Sequence, residues 1–250
     1  MATSAVVLAG FPLVGVTPGG GRATLTGFEG WLGGSNERAR GKRAGGDGAW
    51  SSRAHRAEKK ITALGTIVYP SAAAAAAERR TMLALGGYGK VLLQVTDALG
   101  DLQQTVEVDD VGVPPTRDTM LRFTFDMLAV DPFARASTAT DVAVGAGATV
   151  SHTAAGTFPA EIEVTLTSPG TVDLTIAGLR LRTGSLPSGA VLTSGPGFTN
   201  PRRTIRSSSG DNLFGSIVQP MQWPAIVPGA NSIHQAGTAG LSVRYFSTYA

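Results

Sequence analysis

The chain has 250 residues, with 33 glycines, no cysteine, and only 16% charged and 6% aromatic residues. A chain of this length can bury one large or two ordinary hydrophobic cores, and its glycine content favours many turns and short strands over long helices. The lack of cysteine excludes a disulfide framework and a cysteine-ligated zinc site, and a net charge of +3 does not by itself demand a nucleic-acid partner.

The first ten residues lack the basic region of a secretory signal, and no later stretch holds about 18 uninterrupted apolar residues. We therefore expect a soluble protein that is made in a cytoplasm and does not enter a membrane.

A basic, glycine-rich segment at 35–60 is the first distinctive feature of the chain. Within the segment, the cations outnumber the acids, and there is no large aliphatic residue between position 35 and Ile61. Because the segment cannot bury much apolar area, we predict a long loop or arm that stands off the fold, either solvated or in contact with a partner. The candidate interface residues of the arm are Arg38, Arg40, Lys42, Arg43, Arg53 and Arg56.

After the arm, the sequence predicts a strand over 61–69 and then one helix over about 71–85. Ser71 offers an N-cap oxygen, six alanines carry high helix propensity, and Gly86 with Gly87 ends the helix. Met82 and Leu85 are three residues apart and are expected to face the core.

Three further strands are predicted in this half of the chain. The segments 91–95 and 105–108 pair around a turn at 100–101, and 121–128 alternates between apolar and polar residues. Asp109 and Asp110 are predicted to lie in a turn before Pro114, because two adjacent carboxylates have no further oxygen ligands at calcium-loop spacing.

The chain changes character from residue 134, where small residues dominate until 156. We predict a domain boundary there, with an N-terminal domain at 1–134 and a C-terminal domain at 135–250. Beyond it, 162–166 and 172–176 alternate clearly on either side of a Ser-Pro-Gly turn, which is typical of antiparallel strands with one wet face. Leu179 and Leu181 continue the pattern, with Arg180 and Arg182 facing outward.

The end of the chain predicts a closing strand. Pro228-Gly229 and Asn231 supply turn chemistry, and Leu241, Val243 and Tyr245 fall on one face of the final strand. The fold class is therefore mainly β, in two consecutive modules.

Residues that could carry chemistry do not assemble into a catalytic pattern. The segment 86–90 lacks the spacing of a phosphate loop, and 207–211 is not a nucleophile elbow. Glu161 and Glu163 share the solvated face of a strand, and His55, His152 and His234 are predicted to be solvated or structural. We predict no catalytic, cofactor-binding or metal-binding residue and therefore no enzyme.

Three tryptophans leave a second possibility open. Trp31, Trp50 and Trp223 are either partly buried core or interface residues or platforms on which a sugar ring stacks. Trp223 is the candidate for such stacking.

Several motifs occur in an order that points to one family. They are Gly27-Phe-Glu-Gly30, Gly46-Asp-Gly-Ala49, the step Asp131-Pro-Phe133 that ends a long strand, Gly156-Thr-Phe-Pro159, and the closing turn Pro228-Gly-Ala-Asn231. Their order across residues 27–233 resembles that of the distal tail proteins (phage tail family or minor tail proteins) of long flexible-tailed bacteriophages.

The resemblance implies a fold and a role in the virion. The N-terminal module would be a β-barrel or β-sandwich with one short helix that forms a homo-hexameric ring around the DNA channel. The C-terminal module would be a galectin-like β-sandwich that serves as a docking platform. The protein would sit at the distal end of the tail, where the ring joins the tail tube to the tip hub.

The partners implied are other copies of the chain, the tail tube protein, the tape measure protein, the tail-tip hub protein and receptor-binding proteins, with DNA only as passing cargo. Two alternatives remain: a carbohydrate-binding adhesin that uses Trp223 in host attachment, and a tail-borne hydrolase.

Overall fold

The computed structural model describes residues 4–32, 36–37, 40–42, 49–51, 55–56, 58–129, 131–194, 203–218 and 222–249. Contacts divide the chain into two compact units, residues 1–134 and 135–249. Each unit has its own hydrophobic core, and β-strands dominate both, so the predicted mainly β fold class is confirmed.

The first unit contains a large sheet, a pair of short ribbons and a helix. Its elements are β1 (Ala5–Leu8), β2 (Phe11–Pro12), β3 (Gly15–Val16), β4 (Arg22–Glu29), β5 (Asn36–Glu37), β6 (Arg40–Lys42), β7 (Ala49–Ser51), β8 (His55–Arg56), β9 (Lys59–Val68), α1 (Ala72–Leu85), β10 (Lys90–Asp97), β11 (Gly100–Gly112), β12 (Pro115–Arg117) and β13 (Met120–Ala129).

The main sheet curls into a nearly closed barrel. Its strand order is β2-β1-β10-β11-β13-β9-β4-β3, and neighbouring strands along this path are antiparallel. β2 and β3 lie at opposite ends of this path, yet only Leu13 and Val14 separate them in sequence. Three Cα–Cα steps of 3.8 Å span at most about 11 Å, so the two ends of the sheet must approach each other. The segment 11–16 is therefore the seam of the barrel.

Side-chain alternation along β9 and β13 fills the barrel. In β9 the odd-numbered residues are buried and the even-numbered ones face outward, and Phe123, Phe125 and Met127 of β13 are at most 1% exposed. This is the period-2 burial expected of a sheet with one wet face. The strands predicted in this half of the chain are confirmed, but the turn predicted at 100–101 lies at Ala98 and Leu99, and Gly100 already begins β11.

Helix α1 begins and ends where its sequence predicts. The Ser71 hydroxyl accepts a hydrogen bond from the Ala74 N–H at 3.2 Å, and the helix ends at Gly86. Met82 and Leu85 are buried, as expected. The Arg79 side chain donates to the Val113 carbonyl oxygen at 2.7 Å, so the helix is tied to the segment that follows β11.

The prediction of a turn at Asp109 and Asp110 is wrong. Both residues lie inside β11, at a register shift between Val108 and Asp110 where the ladder to β13 contains a bulge. A bulge places an extra residue in one strand and locally disturbs the alternation of side chains. A bulge tolerates adjacent acidic residues, and such a pair in the sequence is also typical of a turn.

The second unit begins with β14 (Ala134–Ala136), which spans the boundary. Its further strands are β15 (Thr140–Val144), β16 (Thr149–Ala154), β17 (Ile162–Leu166), β18 (Gly170–Ile176), β19 (Leu179–Leu186), β20 (Val191–Thr193), β21 (Thr204–Arg206), β22 (Gly229–Gln235), β23 (Leu241–Tyr245) and β24 (Thr248–Tyr249), with a short 3-10 helix at Phe214–Ser216.

Two sheets form a β-sandwich in this unit. One has the order β15-β23-β17-β20-β21 and the other β16-β22-β18-β19. Inward residues of both sheets build one core, for example Val164 and Val243 from the first sheet and Leu174 and Ile233 from the second. The predicted sandwich is thus confirmed.

The alternation on either side of the Ser-Pro-Gly turn at 168–170 favours a hairpin of the two flanking strands, but these strands do not pair with each other. β17 pairs with β20 and β23, whereas β18 pairs with β19 and β22. The turn instead carries the chain from one sheet to the other. The hairpin partner of β18 is β19, reached through Ala177 and Gly178, which both have positive φ.

The closing turn is fixed by one buried side chain. Asn231 is 5% exposed, and its amide donates to the carbonyl oxygens of Val227 and Gly229 at 2.8 and 2.9 Å. Its carbonyl oxygen accepts from the Val227 N–H at 3.0 Å. Asn231 therefore satisfies the backbone groups of the Pro-Gly turn that β22 follows.

Across the described ranges, no helix combines the length and the hydropathy that crossing a bilayer would require.

Candidate interaction surfaces

The arm leaves the barrel between β4 and β9 through a clamp of two buried residues. The Lys59 ammonium donates to the Trp31 carbonyl oxygen at 2.7 Å and lies 5.3 Å from the centre of the Trp31 ring. Phe28 stacks on Trp31 at 6.0 Å between ring centres. Since Lys59 and Trp31 are only 5% and 6% exposed, both ends of the arm are anchored to the barrel core.

The described parts of the arm pair as antiparallel ribbons. Asn36 lies opposite Arg56 in β5 and β8, and Arg40 lies opposite Ser51 in β6 and β7. The residues predicted a long loop or arm and gave no sign of these pairs, because short polar and glycine-rich strands carry no apolar alternation. The pairing is strand-to-strand hydrogen bonding, which needs no apolar face.

The six predicted interface residues fall into two groups. Arg38, Arg43 and Arg53 lie outside the described residues. Arg40 and Lys42 belong to β6, and Arg56 to β8. The contact role of the arm stays a prediction.

One strand edge of the barrel has no partner among the described residues. β3 pairs only with Ala23 and Arg22 of β4, and from Thr24 to Glu29 the described partner of β4 is β9 on its other side. Unpaired backbone N–H and C=O groups on such an edge can add a further strand.

A row of outward side chains crosses the barrel at the end where β4 begins. Neighbouring members are directly opposite one another in the ladders of β3, β4, β9, β13 and β12. Their side chains therefore share one face of the sheet. We call this set the outer row: Val16, Arg22, Val68, Met120 and Arg117.

The outer row exposes unusual apolar area. Val16 is 73% exposed, the largest value among the exposed large hydrophobic residues, and Val68 is 53% exposed. Sequence analysis missed this surface, because the register that brings five separate strands together is not visible in any one segment.

A buried carboxylate joins α1 to the turn between β3 and β4. Glu78 is 5% exposed, and it accepts hydrogen bonds from the Thr17 hydroxyl at 2.6 Å and from the Gly19 N–H. A Cβ on Gly19 would lie 2.8 Å from the Glu78 Cδ, so this close approach requires glycine. Burial, and then the neighbouring Glu78 carboxylate, raise the pKa of Tyr69 above its ordinary value, which keeps that phenol neutral.

An open groove lies between α1 and the hairpin of β12 and β13. It has a volume of about 490 Å³. Ala72, Ala76 and Arg79 line it from the helix, and Arg117 and Asp118 line it from the hairpin.

The outer faces of the sandwich carry ordered charge rows. Arg244 of β23 lies between Asp141 and Glu163 in the ladders, and its guanidinium donates to both Asp141 oxygens at 2.9 and 3.2 Å. Burial raises the pKa of Glu163, and the Asp141 charge adds to this, whereas Arg244 opposes it.

The second charge row lies on the other sheet. The Arg180 guanidinium donates to both Asp173 oxygens at 2.7 Å, and Arg182 lies 3.6 Å from the same carboxylate. The hydrogen bond from Arg180 holds the pKa of Asp173 below its usual range despite partial burial. Arg180 faces outward, as predicted.

The polar residues considered for chemistry have structural partners. Arg135 lies 3.8 Å from the Glu161 carboxylate, and the Asp211 carboxylate accepts from Ser207 and Ser209 at 2.9 and 2.6 Å. His152 contacts the Tyr245 hydroxyl. Within the described ranges, no three His, Cys, Asp or Glu side chains are grouped closely enough to hold a metal ion.

Trp223 lies in the sandwich core. It is 8% exposed and belongs to the hydrophobic cluster that also contains Ile226 and Tyr245. Of the two roles that the sequence allowed for Trp223, this burial is typical of a core residue. Sugar stacking on its ring stays a prediction. Trp31 is likewise buried, and Trp50 belongs to β7 of the arm.

The fold is similar to solved phage structures. The SPP1 Dit (gp 19.1) protein, described as a paradigm of the hub adsorption apparatus in Gram-positive-infecting phages, is 10% identical with a TM-score of 0.70, and the match covers 100% of both chains. A chain of the phage P2 baseplate in its activated conformation with Ca is 8% identical with a TM-score of 0.50, covering 98% of both chains. No protein-family model and no curated protein sequence matches the chain.

At this level of sequence identity the likeness establishes a shared fold. The resemblance to distal tail proteins, drawn from motif order, is therefore confirmed at the level of the fold over the whole chain.

Proposed function

We propose that this chain is a structural component of the tip of a phage tail, where copies of it form a ring that joins the tail tube to the tip hub and the tape measure protein. The observation that carries the proposal is the match to the SPP1 hub protein over the full length of both chains. A match that includes both β-modules in one order favours a shared architecture rather than a shared single domain.

The first unit supplies surfaces suited to contact between copies. The edge of β4 from Thr24 to Glu29 has no partner in the described part of the chain, the outer row exposes apolar area, and the arm is anchored at both ends by Trp31 and Lys59. Ring contacts are heterologous, so each copy must offer two different surfaces, and the barrel has several to offer.

The second unit suits a docking role for other tail proteins. Its outer faces carry ion pairs with fixed geometry, such as Arg244 on Asp141 and Arg180 on Asp173. Charged groups held in place favour orientation and specificity of a partner more than raw affinity.

The experiment measures assembly directly. The full chain is purified, its mass is measured by light scattering over a range of concentrations, and its particles are imaged by negative stain. We expect a closed ring of six copies, and we expect the chain to restore the tip of tails assembled without it. A protein that stays monomeric at every concentration and adds no density to tails would contradict the proposal.

A variant of the arm tests its part in the ring. Changing Arg38, Arg40, Lys42 and Arg43 to glutamate is expected to weaken assembly and leave the fold intact, because the charges would repel where they had attracted. Arg80→Glu with Arg203→Glu, two exposed cations elsewhere, is the control. Unchanged ring formation in the arm variant would show that the arm is solvated surface.

A further inference from the structure

The outer row combines two exposed valines and a half-buried methionine with two arginines. Val16, Val68 and Met120 form its apolar part, and Arg22 and Arg117 are exposed. No ion pair within the described residues involves either arginine. Arginine beside exposed apolar groups is typical of the residues that dominate protein interfaces.

The neighbourhood of the row adds to its positive charge. Arg122 is one rung away, on the same outer face of β13, and it is also exposed and without an ion pair in the described part of the chain. Among the described residues, Asp118 in the adjoining turn is the acid next to the row. The local balance is three cations to one acid.

A surface of opposite character lies at the turn between β10 and β11. We call it the acidic tip: Asp97, Leu99 and Asp101. Leu99 is 38% exposed and stands between two carboxylates. No ion pair within the described ranges involves either of them.

Hydrogen bonds hold the acidic tip in one shape. The Asp97 carboxylate accepts from the Leu99 N–H at 2.7 Å, and the Asp101 carboxylate accepts from the Thr96 hydroxyl at 2.7 Å. Each bond uses the Oδ1 atom, so the Oδ2 atoms stay available to an incoming guanidinium. A tip that is already ordered loses little conformational freedom when it binds.

The Met120 end of the outer row lies far from the acidic tip along the strands of one copy. β11 runs from the acidic tip at Gly100 to Gly112, which at about 3.3 Å per residue is roughly 40 Å. Gly112 lies opposite Thr124, and the row lies still further along, at Met120. Along β11 and β13 the tip and Met120 therefore lie at opposite ends, whereas Val16 follows the seam, where the Leu13 N–H donates to the Val6 carbonyl oxygen of β1.

We infer that the acidic tip of one copy seats on the outer row of the next copy, with Leu99 against Val68 and Met120 and the two carboxylates on Arg22 and Arg117. This head-to-tail contact rests on the proposed ring, and it assigns the pair of surfaces through which neighbouring copies recognise each other. Opposite charges around an apolar centre fix the register and direction of such a contact.

A second acidic site on the barrel does not fit the row as well. Asp109 and Asp110 are exposed at the bulge of β11, but neither has an exposed large apolar neighbour in the strand. The acidic tip complements the outer row in both charge and apolar surface, so we choose it over the bulge pair. The bulge pair serves instead as a control for charge alone.

A charge-swap experiment tests the contact in the full chain. The row variant carries Arg22→Glu and Arg117→Glu, the tip variant carries Asp97→Lys and Asp101→Lys, and a third chain carries all four changes. The controls are Arg80→Glu on the exposed face of α1 and Asp109→Lys with Asp110→Lys at the bulge. Light scattering at low salt measures assembly, and circular dichroism and the melting temperature check the fold.

The row variant and the tip variant are each expected to assemble about tenfold more weakly than the original chain, because like charges then face each other. The chain with all four changes is expected to regain assembly, and so is an equal mixture of the row variant and the tip variant. The controls are expected to assemble normally. Raising the salt concentration weakens the contact of the original chain, since its charges lie at the surface.

Three results would overturn the inference while the proposed ring stands. The row variant and the tip variant could both form rings as well as the original chain, or the controls could lose as much assembly as these variants. The chain with all four changes could also fail to regain the assembly that each pair of changes removed. The last result would mean that row and tip contact other partners. An original chain that forms no ring at all would overturn the proposed function and this inference together.

Discussion

The Tyr245 hydroxyl lies 2.6 Å from Nε2 of His152, and this contact joins the two sheets of the C-terminal sandwich. Tyr245 belongs to β23 of one sheet and His152 to β16 of the other, and their rings meet edge-on with 5.6 Å between centres. Burial raises the pKa of Tyr245, so the phenol keeps its proton and hydrogen-bonding capacity at neutral pH.

Tyr245→Phe removes this hydrogen bond and leaves the ring packing intact. We expect the free energy of unfolding to fall by about 1–2 kcal/mol, because a partly buried imidazole loses its partner. Tyr249→Phe is the matched control, since no described residue bonds to that hydroxyl. Chemical denaturation of both variants gives the comparison, and equal losses would mean that the His152 contact contributes nothing.

Glu78→Gln tests the carboxylate that holds the turn between β3 and β4. The amide offers one acceptor oxygen in place of two, so either the Thr17 hydroxyl or the Gly19 N–H loses its acceptor. We expect a loss of about 1–3 kcal/mol in the free energy of unfolding. Glu29→Gln, at an exposed position, is the control and is expected to stay within about 0.5 kcal/mol. An unchanged free energy of unfolding in Glu78→Gln would mean that water replaces the lost hydrogen bond without cost.

Glu163→Gln is expected to stabilise the protein at neutral pH. Burial raises the pKa of Glu163 in the folded state, so ionisation is easier in the unfolded chain. Stability is therefore lost as the pH rises from the unfolded value of about 4.3 through the folded pKa. The melting temperature of the variant should exceed that of the original chain at pH 7 and match it near pH 4. A variant that is less stable at pH 7 would show that the attraction to Arg244 outweighs burial.

Asp173→Asn is expected to act in the opposite direction. The pKa of Asp173 is lowered in the folded state by Arg180, so the folded state gains stability above the unfolded value of about 3.9 and loses it as the pH falls through the folded pKa. The variant should be less stable than the original chain at pH 7, with a difference that shrinks below pH 4. A difference independent of pH would locate the effect in packing instead.

Trp223→Ala separates the core from the sugar-binding alternative. Removing a buried indole is expected to cost about 3–5 kcal/mol in the free energy of unfolding. Trp223→Phe keeps an aromatic ring in the core and should cost much less. Adsorption of virions to host cells is then measured with the phenylalanine variant. Reduced adsorption at unchanged stability would favour the adhesin, and unchanged adsorption would remove it.

Much of the fold was predictable because its signals are local. Ser71 and Gly86 bound the helix through capping and backbone freedom, and neither depends on distant residues. The alternation in β17, β18 and β23 likewise stems from one buried face per strand. Asn231 was recognised by its turn chemistry, and its three hydrogen bonds act within four residues.

The misplaced features depend on contacts that are distant in sequence. Glu78 in an alanine-rich helix resembles a solvated residue, and its burial follows from a turn about sixty residues earlier in the chain. The turn after Leu166 has the same chemistry whether the chain pairs with itself or crosses to another sheet. The outer row is formed by the register of five strands, so it cannot be predicted from the sequence of any one segment.

The clamp of Lys59 on Trp31 has a practical consequence for engineering. Since both ends of the arm are fixed to the barrel core by this pair, a replacement segment of different length would join the barrel at the same two points. Insertions between β6 and β7 are therefore expected to leave the barrel folded, so that stretch is a place to insert an affinity label for study of the isolated chain.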